Sequence, residues 1–269
     1  MGSPDNPDRF VAEPGARLNR AAAVGFERGA QDYEQARPSY PPDAVALVVE
    51  VLGLRPGRSV LDLAAGTGKF TRLLIPSGAE VVAVEPVAAM RAQLHQSLPD
   101  VTVVDGVAEA IPRPDASLDG VVAAQAFHWF DPPAALAEIH RVLRPGGGLA
   151  LVWNVRDTTV DWVRRFDDVL VAAAGQKPYE PGLDWSAAVA ASGDFGPLHH
   201  RRFAYHQDLT PGLLVQRAAS TSYVSALDDG ARQACLDDVA ELTRTHPDLA
   251  GRDHFTFPYD TDVFWCERI

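Results

Sequence analysis

Between residues 59 and 154 short apolar runs alternate with stretches whose apolar positions recur every three or four residues. The runs at 59–64, 80–84, 101–104, 118–124 and 148–153 have strand length and are rich in valine and leucine, and the stretches at 69–76, 87–97 and 133–143 have helical spacing. Strands without polar alternation are buried on both faces, which is the habit of a parallel sheet covered by crossover helices. The pattern predicts a Rossmann-like, doubly wound α/β layer. Ahead of it, a helical pattern over 21–35 stops at Pro38-Ser39-Tyr40-Pro41-Pro42, and a second helix over 44–52 places Val45, Val48, Val49 and Leu52 on one face. Beyond Asn154 the alternation ends. Helices are predicted at 160–174, 185–191, 211–219 and 229–245, a strand at 199–205, and a hairpin or long terminal strand at 255–268. The two late strands should extend the sheet while the late helices cap its edge. The domain reading is a flexible tail at 1–20 and a single domain at 21–269, divided into N-terminal lid helices (21–57), a core (58–154) and cap helices with the last strands (155–269).

Composition changes this picture little, but charge narrows the partners. A formal charge of −12 repels polyanions, which argues against nucleic acid and anionic membranes and for a small or neutral partner. Two cysteines, Cys235 and Cys266, are too few for a disulfide framework, no apolar run is long enough to span a bilayer, and the first residues lack the features of a secretory signal. A cytoplasmic protein is expected.

The stretch LDLAAGTGKF, residues 61–70, carries the chemistry. It ends a strand with Asp62, strips the backbone of side chains at Ala64, Ala65, Gly66 and Gly68, and opens a helix. In an open α/β sheet such a turn lies where ligands bind, and missing Cβ atoms allow close approach. A dinucleotide fingerprint wants a third glycine, where this chain has Thr71, and Asp62 would repel a pyrophosphate while favouring a cation. Glu85, ending the next strand, has the position of an acid that grips ribose hydroxyls. The bland alternative is that Asp62 and Glu85 only cap the following helices.

These residues resemble the class I S-adenosylmethionine-dependent methyltransferases, small-molecule branch, which includes ubiquinone/menaquinone-type and trans-aconitate-type enzymes. The resemblance rests on VLDLAAGTGKFT (60–71), VVAVEP (81–86), DGVAEAIPRPDASLDGVVAAQAFHWF (105–130) and EIHRVLRPGGGLALVWN (138–154), with FERGAQDYEQARPSYP (26–41) similar to the helical N-terminal lid. It implies a seven-stranded sheet with the last strand antiparallel and S-adenosyl-L-methionine as cofactor, released as S-adenosyl-L-homocysteine. By the same resemblance, Asp62, Ala64, Gly66 and Gly68 would hold the methionine end, Glu85 the ribose, and Pro86, Ala108 and Glu109 the adenine. Gln125 and His128 would face the methyl, and Tyr33 and Arg37 would lie on the lid, where Arg37 answers a carboxylate.

His128 is the candidate catalytic base, because imidazole titrates near neutrality; the alternative is a histidine held among Trp129 and Phe130. His128, Trp129, Trp153 and Tyr223 are the candidate acceptor pocket, drawn from a wider set of aromatics that includes Trp162, Tyr179, Trp185 and Trp265. No histidine or cysteine spacing suggests a metal site. The resemblance, with the arginines of lid and cap (Arg37, Arg217, Arg232), favours O-methylation of a carboxylate or hydroxyl of a small molecule, in secondary metabolism. The alternatives are N- or C-methylation, a methyltransferase-like protein with non-methylating chemistry, and an NAD-dependent oxidoreductase. The oligomeric state has no signal.

Overall fold

Proline supplies a helical φ and needs no amide partner in a first turn, and Pro42 accordingly opens α1 (Pro42–Val51) in the computed structural model, which describes residues 36–175 and 184–269. The tail, the pattern over 21–35, Tyr33 and Tyr179 lie outside the described residues. The alternating region then folds as β1 (Ser59–Leu63), α2 (Lys69–Leu74), β2 (Glu80–Val84), α3 (Ala88–Ser97), β3 (Thr102–Val104), β4 (Leu118–Ala124), α4 (Pro132–Val142) and β5 (Leu143–Arg156). After it come α5 (Asp161–Ala174), α6 (Asp184–Ser192), β6 (His199–Leu209), α7 (Pro211–Ala219), α8 (Ser222–Ser225), α9 (Asp229–Thr245) and β7 (Phe255–Glu267).

The seven strands form one sheet in the order β3-β2-β1-β4-β5-β7-β6. All pairs are parallel except the two made by β7, which runs antiparallel to both β5 and β6. Both faces of the sheet are covered, as the unbroken apolar runs require. On β4, Val121 packs with Leu136 and Ile139 of α4, while the next residue, Val122, packs with Leu47 and Val48 of α1. A further core lies in the C-terminal part, where Trp162 and Phe166 of α5, Leu214 of α7 and Val239 of α9 meet Phe255, Phe257 and Tyr259 of β7.

Two strands, β5 and β6, run longer than the sequence expectation. Strand β5 begins five residues early, because Leu143 pairs with Leu118 before the register shifts to Gly120 opposite Gly148. Strand β6 continues to Leu209, since all eleven of its residues have partners on β7. Of the two forms expected for the terminal segment, the structure has the long single strand, Phe255–Glu267. Pro258 stands just past the last β5 pair, Arg156 with Tyr259, where an absent N–H removes little of the ladder.

Candidate functional site

Strand order reverses between β1 and β4, and a cavity occupies the crevice beyond their carboxyl ends. Its floor is the turn after β1. Gly66 and Gly68 both adopt left-handed backbone, with φ of 59° and 86°. They serve different neighbours. Gly66 lines the cavity, whereas a Cβ on Gly68 would lie 2.9 Å from Leu94 Cγ on α3, so Gly68 sets how closely turn and helix pack and does not line the cavity. Ala64 and Gln125 have φ of 57° without being glycine, and both line the cavity at the ends of β1 and β4. Such backbone costs about 1–3 kcal/mol and gathers at ligand sites.

Asp62 is 1% exposed at the floor. Its Oδ2 accepts the Thr71 hydroxyl at 2.6 Å, and its Oδ1 is buried without a hydrogen-bond partner. Burial, with a smaller contribution from the Glu85 charge, raises its pKa to about 7 against the opposing bonds from Thr71. Thr71, which breaks the glycine fingerprint, is thus the residue that orients this carboxylate. Asp119, 4% exposed at the other end of the sheet, shows what a saturated buried carboxylate looks like here: it takes Arg58, Arg144 and the Ser59 amide. An orphaned anionic oxygen beside bare backbone fits a cationic ligand.

Glu85 accepts the Gly66 amide on Oε2 and the Val87 amide on Oε1, both at 2.8 Å. Burial raises its pKa despite those bonds. The Val87 contact is the helix-capping role of the bland alternative, yet each carboxylate oxygen has capacity for a further hydrogen bond, and Glu85 lines the cavity. The Gly66 amide, which a phosphate would need, is already donated to this acid.

Pro86, Ala108, Glu109, Gln125 and Trp129 line the same cavity, and Glu109 also accepts the Asp131 amide at 2.8 Å. The roof is a strap over residues 36–41, which contributes Arg37, Pro38 and Tyr40. Asn154 donates to the Ser39 carbonyl at 2.8 Å, Gln207 to the Ala36 carbonyl at 3.3 Å, and Arg37 to the Ser220 carbonyl at 2.6 Å. Arg217 of α7 completes the lining.

The structure separates the remaining expected residues from this cavity. Trp153 is buried against Trp185, 4.9 Å between ring centroids, and Tyr223 packs on the C-terminal core and hydrogen-bonds to Arg156. His128 stands behind the lining, and the Trp153 indole donates to its Nδ1 at 3.4 Å. Burial and the Arg37 charge push its pKa down to about 4. At neutral pH it is an uncharged imidazole whose basic nitrogen is already engaged, the opposite of a poised base. Arg232, Trp162, Trp185 and Trp265 also lie off the lining, whereas Phe70, Met90, Phe130 and Asn154 are on it. Met90 and Phe70 sit at helical apolar positions that read as ordinary core, so only the fold reveals their second duty.

Among the described residues no helix is long and apolar enough to cross a membrane, and no group of histidine, cysteine, aspartate or glutamate could hold a metal ion. Comparison with known proteins places a methyltransferase domain at residues 61–151. An uncharacterized methyltransferase of Mycobacterium tuberculosis is 38% identical over 242 residues, 90% of this chain and 95% of that protein. A putative methyltransferase from an antibiotic biosynthesis pathway of Anabaena variabilis superposes with a TM-score of 0.60 at 22% identity, covering 85% of this chain and 98% of that one. A phosphoethanolamine N-methyltransferase of Haemonchus contortus, solved with phosphomonomethylethanolamine and S-adenosylhomocysteine, superposes with a TM-score of 0.55 at 16% identity, covering 90% of this chain and 57% of that one.

Proposed function

Since the chain belongs to the class I S-adenosylmethionine-dependent methyltransferases, we propose that it transfers the methyl to an oxygen of a small molecule that arrives already ionised. The observation that carries this reading is that the described residues hold no imidazole poised as a base at the cavity. His128 is held neutral by burial and Arg37, with Nδ1 taken by Trp153, and the side chains lining the roof are Arg37, Pro38, Tyr40 and Arg217. An acceptor that needs no deprotonation, a carboxylate before all, needs none of them as a base. The covered site supports a small acceptor, because the strap is tied down at Ala36, Arg37 and Ser39. The trans-aconitate-type and quinone-type branch rests on the sequence motifs.

When bound, S-adenosylmethionine supplies an electrophilic methyl on a sulfonium. The protein's part is placement and exclusion of water. The orphaned Oδ1 of Asp62 offers an anionic acceptor to the cationic methionine end, and Thr71 keeps it aimed. Ala64 and Gly66 present bare backbone beside it. Glu85 offers its remaining lone pairs to the ribose hydroxyls, and Pro86, Ala108 and Glu109 form the wall for the adenine. Gln125, held by a bond from its amide to the Asn154 carbonyl at 3.1 Å, stands between this half and the roof. Gly68 contributes through packing. His128 serves as a wall behind Trp129.

The test is to incubate the purified protein with methyl-labelled donor and separate fractions of small molecules, protein and nucleic acid. Label in the small-molecule fraction, released by mild alkali as expected for an ester, supports the reading. Label confined to macromolecules, or alkali-stable label on nitrogen or carbon, overturns it.

A further inference from the structure

Arg217 is 5% exposed, yet it lines the cavity. Its Nε donates to the Tyr259 hydroxyl at 3.3 Å and its Nη1 to the Thr221 hydroxyl at 3.4 Å. These partners are neutral, and the ion pairs among the described residues leave Arg217 without an acid. Arg156, the other arginine deep in this region, is ion-paired to Asp167. Tyr259 hands its own proton toward Gln207 Oε1 at 3.5 Å, and Gln207 reaches the strap at Ala36. The guanidinium is therefore positioned by two neutral hydroxyls, on β7 and at the start of α8, with no acid paired to it among the described residues. A buried charge without a counter-charge is costly, and a protein that keeps one in a cavity wall has reserved it for an anion that arrives with a ligand.

Two anions are candidates, the carboxylate of the donor and a carboxylate of the acceptor. The donor is common to the family, and its expected contacts at Asp62, Gly66 and Glu85 fall inside the matched domain at 61–151. Arg217 lies outside that domain, on α7 of the C-terminal part. Tyr40, Trp129 and Phe130 supply flat apolar wall in the same cavity.

We propose that Arg217 is the specificity-determining residue of the acceptor subsite, and that the acceptor is a small organic acid with an apolar body whose carboxylate seats against this guanidinium. The inference rests on the small-molecule reading above and names its substrate class. Arg217 acts here as an anchor; no bond is made or broken on it.

The probes are benzoate, cinnamate and glutarate, each against its amide, titrated calorimetrically into wild type and Arg217→Met saturated with S-adenosylhomocysteine. The expected result is binding of at least one acid to wild type, at least tenfold tighter than its amide, and loss of that preference in Arg217→Met with S-adenosylhomocysteine affinity held within threefold. Acids that bind no better than amides, or an acid preference that survives in the variant, overturn the proposal and leave the small-molecule reading standing. A tenfold loss of S-adenosylhomocysteine affinity in the variant also overturns it, since the guanidinium would then serve the donor. If neither acids nor amides bind wild type while S-adenosylhomocysteine does, the proposal falls, and the small-molecule reading is decided separately by the labelled-donor assay. Should Arg217→Met fail to fold, Arg217→Lys is measured instead: it keeps the charge and loses the planar fork, so acid affinity should fall at least threefold, and unchanged affinity refutes the anchor.

Discussion

The floor of the cavity is acidic and its roof is basic, and the two are built from different kinds of sequence. Asp62, Gly66 and Glu85 come from two adjacent strand ends within 24 residues of one another. Arg37 and Arg217 come from segments 180 residues apart and line one cavity, with Arg37 bonded to the Ser220 carbonyl just after α7. Each half carries an incomplete electrostatic partner, an orphaned carboxylate oxygen below and an acid-free guanidinium above. A cavity polarised in this way favours two ligands of opposite charge side by side, with the cation below.

The sharpest way to break that contrast is Asp62→Ala. It removes a charged acceptor worth roughly 1.5–3 kcal/mol, so S-adenosylhomocysteine affinity should fall by about 10- to 100-fold while the acid preference at Arg217 persists. An unchanged titration would remove the floor from the site. Glu85→Ala should cost donor affinity about tenfold and also stability by about 1–3 kcal/mol, because the Gly66 and Val87 amides lose their acceptor. Chemical denaturation and calorimetry read the two effects separately.

Acidity gives a third probe of the same floor. Asp62 has a folded pKa raised to about 7, so without donor the folded state holds the proton more tightly than the unfolded chain does. Its contribution to stability is complete below the ordinary aspartate range and is lost as pH rises through 7. Glu85, also raised, pulls the same way. A cationic donor needs the ionised form, so its affinity should fall by about tenfold between pH 7.5 and 6. A flat affinity profile over that range would mean that Asp62 does not face the cation.

Gly68→Ala should separate packing from binding. The left-handed φ and the Leu94 contact predict a loss of about 1–3 kcal/mol in stability, with donor affinity within threefold once the variant is folded. The smallest effect is expected at His128→Gln, whose pH–rate profile should match that of wild type. A lost basic limb would restore the histidine as a base.

How much of this was legible in the sequence follows the same division. The strand ends and the turn that carry Asp62, Glu85, Gly66 and Gly68 were readable because strand, turn and helix signals are local and consecutive. The same locality misjudged Gly68: periodicity cannot say which glycine faces a ligand and which faces Leu94. Trp153 and Tyr223 were expected in the pocket because large aromatics suit both pockets and cores, and only packing assigned them to cores. Arg217 drew notice only as one arginine among many, since its want of an acid partner depends on which acids the fold leaves out of reach. The strap at 36–41 was announced by its prolines, but its ties to Asn154, Gln207 and Ser220 cross more than a hundred residues.

The placement of β7 between β5 and β6 also imposes an order of manufacture. Strand β6 leaves the ribosome well before residues 255–267 and has no other strand to pair with. Until β7 emerges, a nascent chain carries eleven residues of unsatisfied edge, the hazard that invites other chains to dock. His199, His200, Arg201 and Arg202 open that strand and are exposed in the finished protein. Their charge and hydration make them gatekeepers during synthesis, so trading Arg201 and Arg202 for threonine would show first as aggregates in a translation reaction rather than in the activity of the molecules that escape.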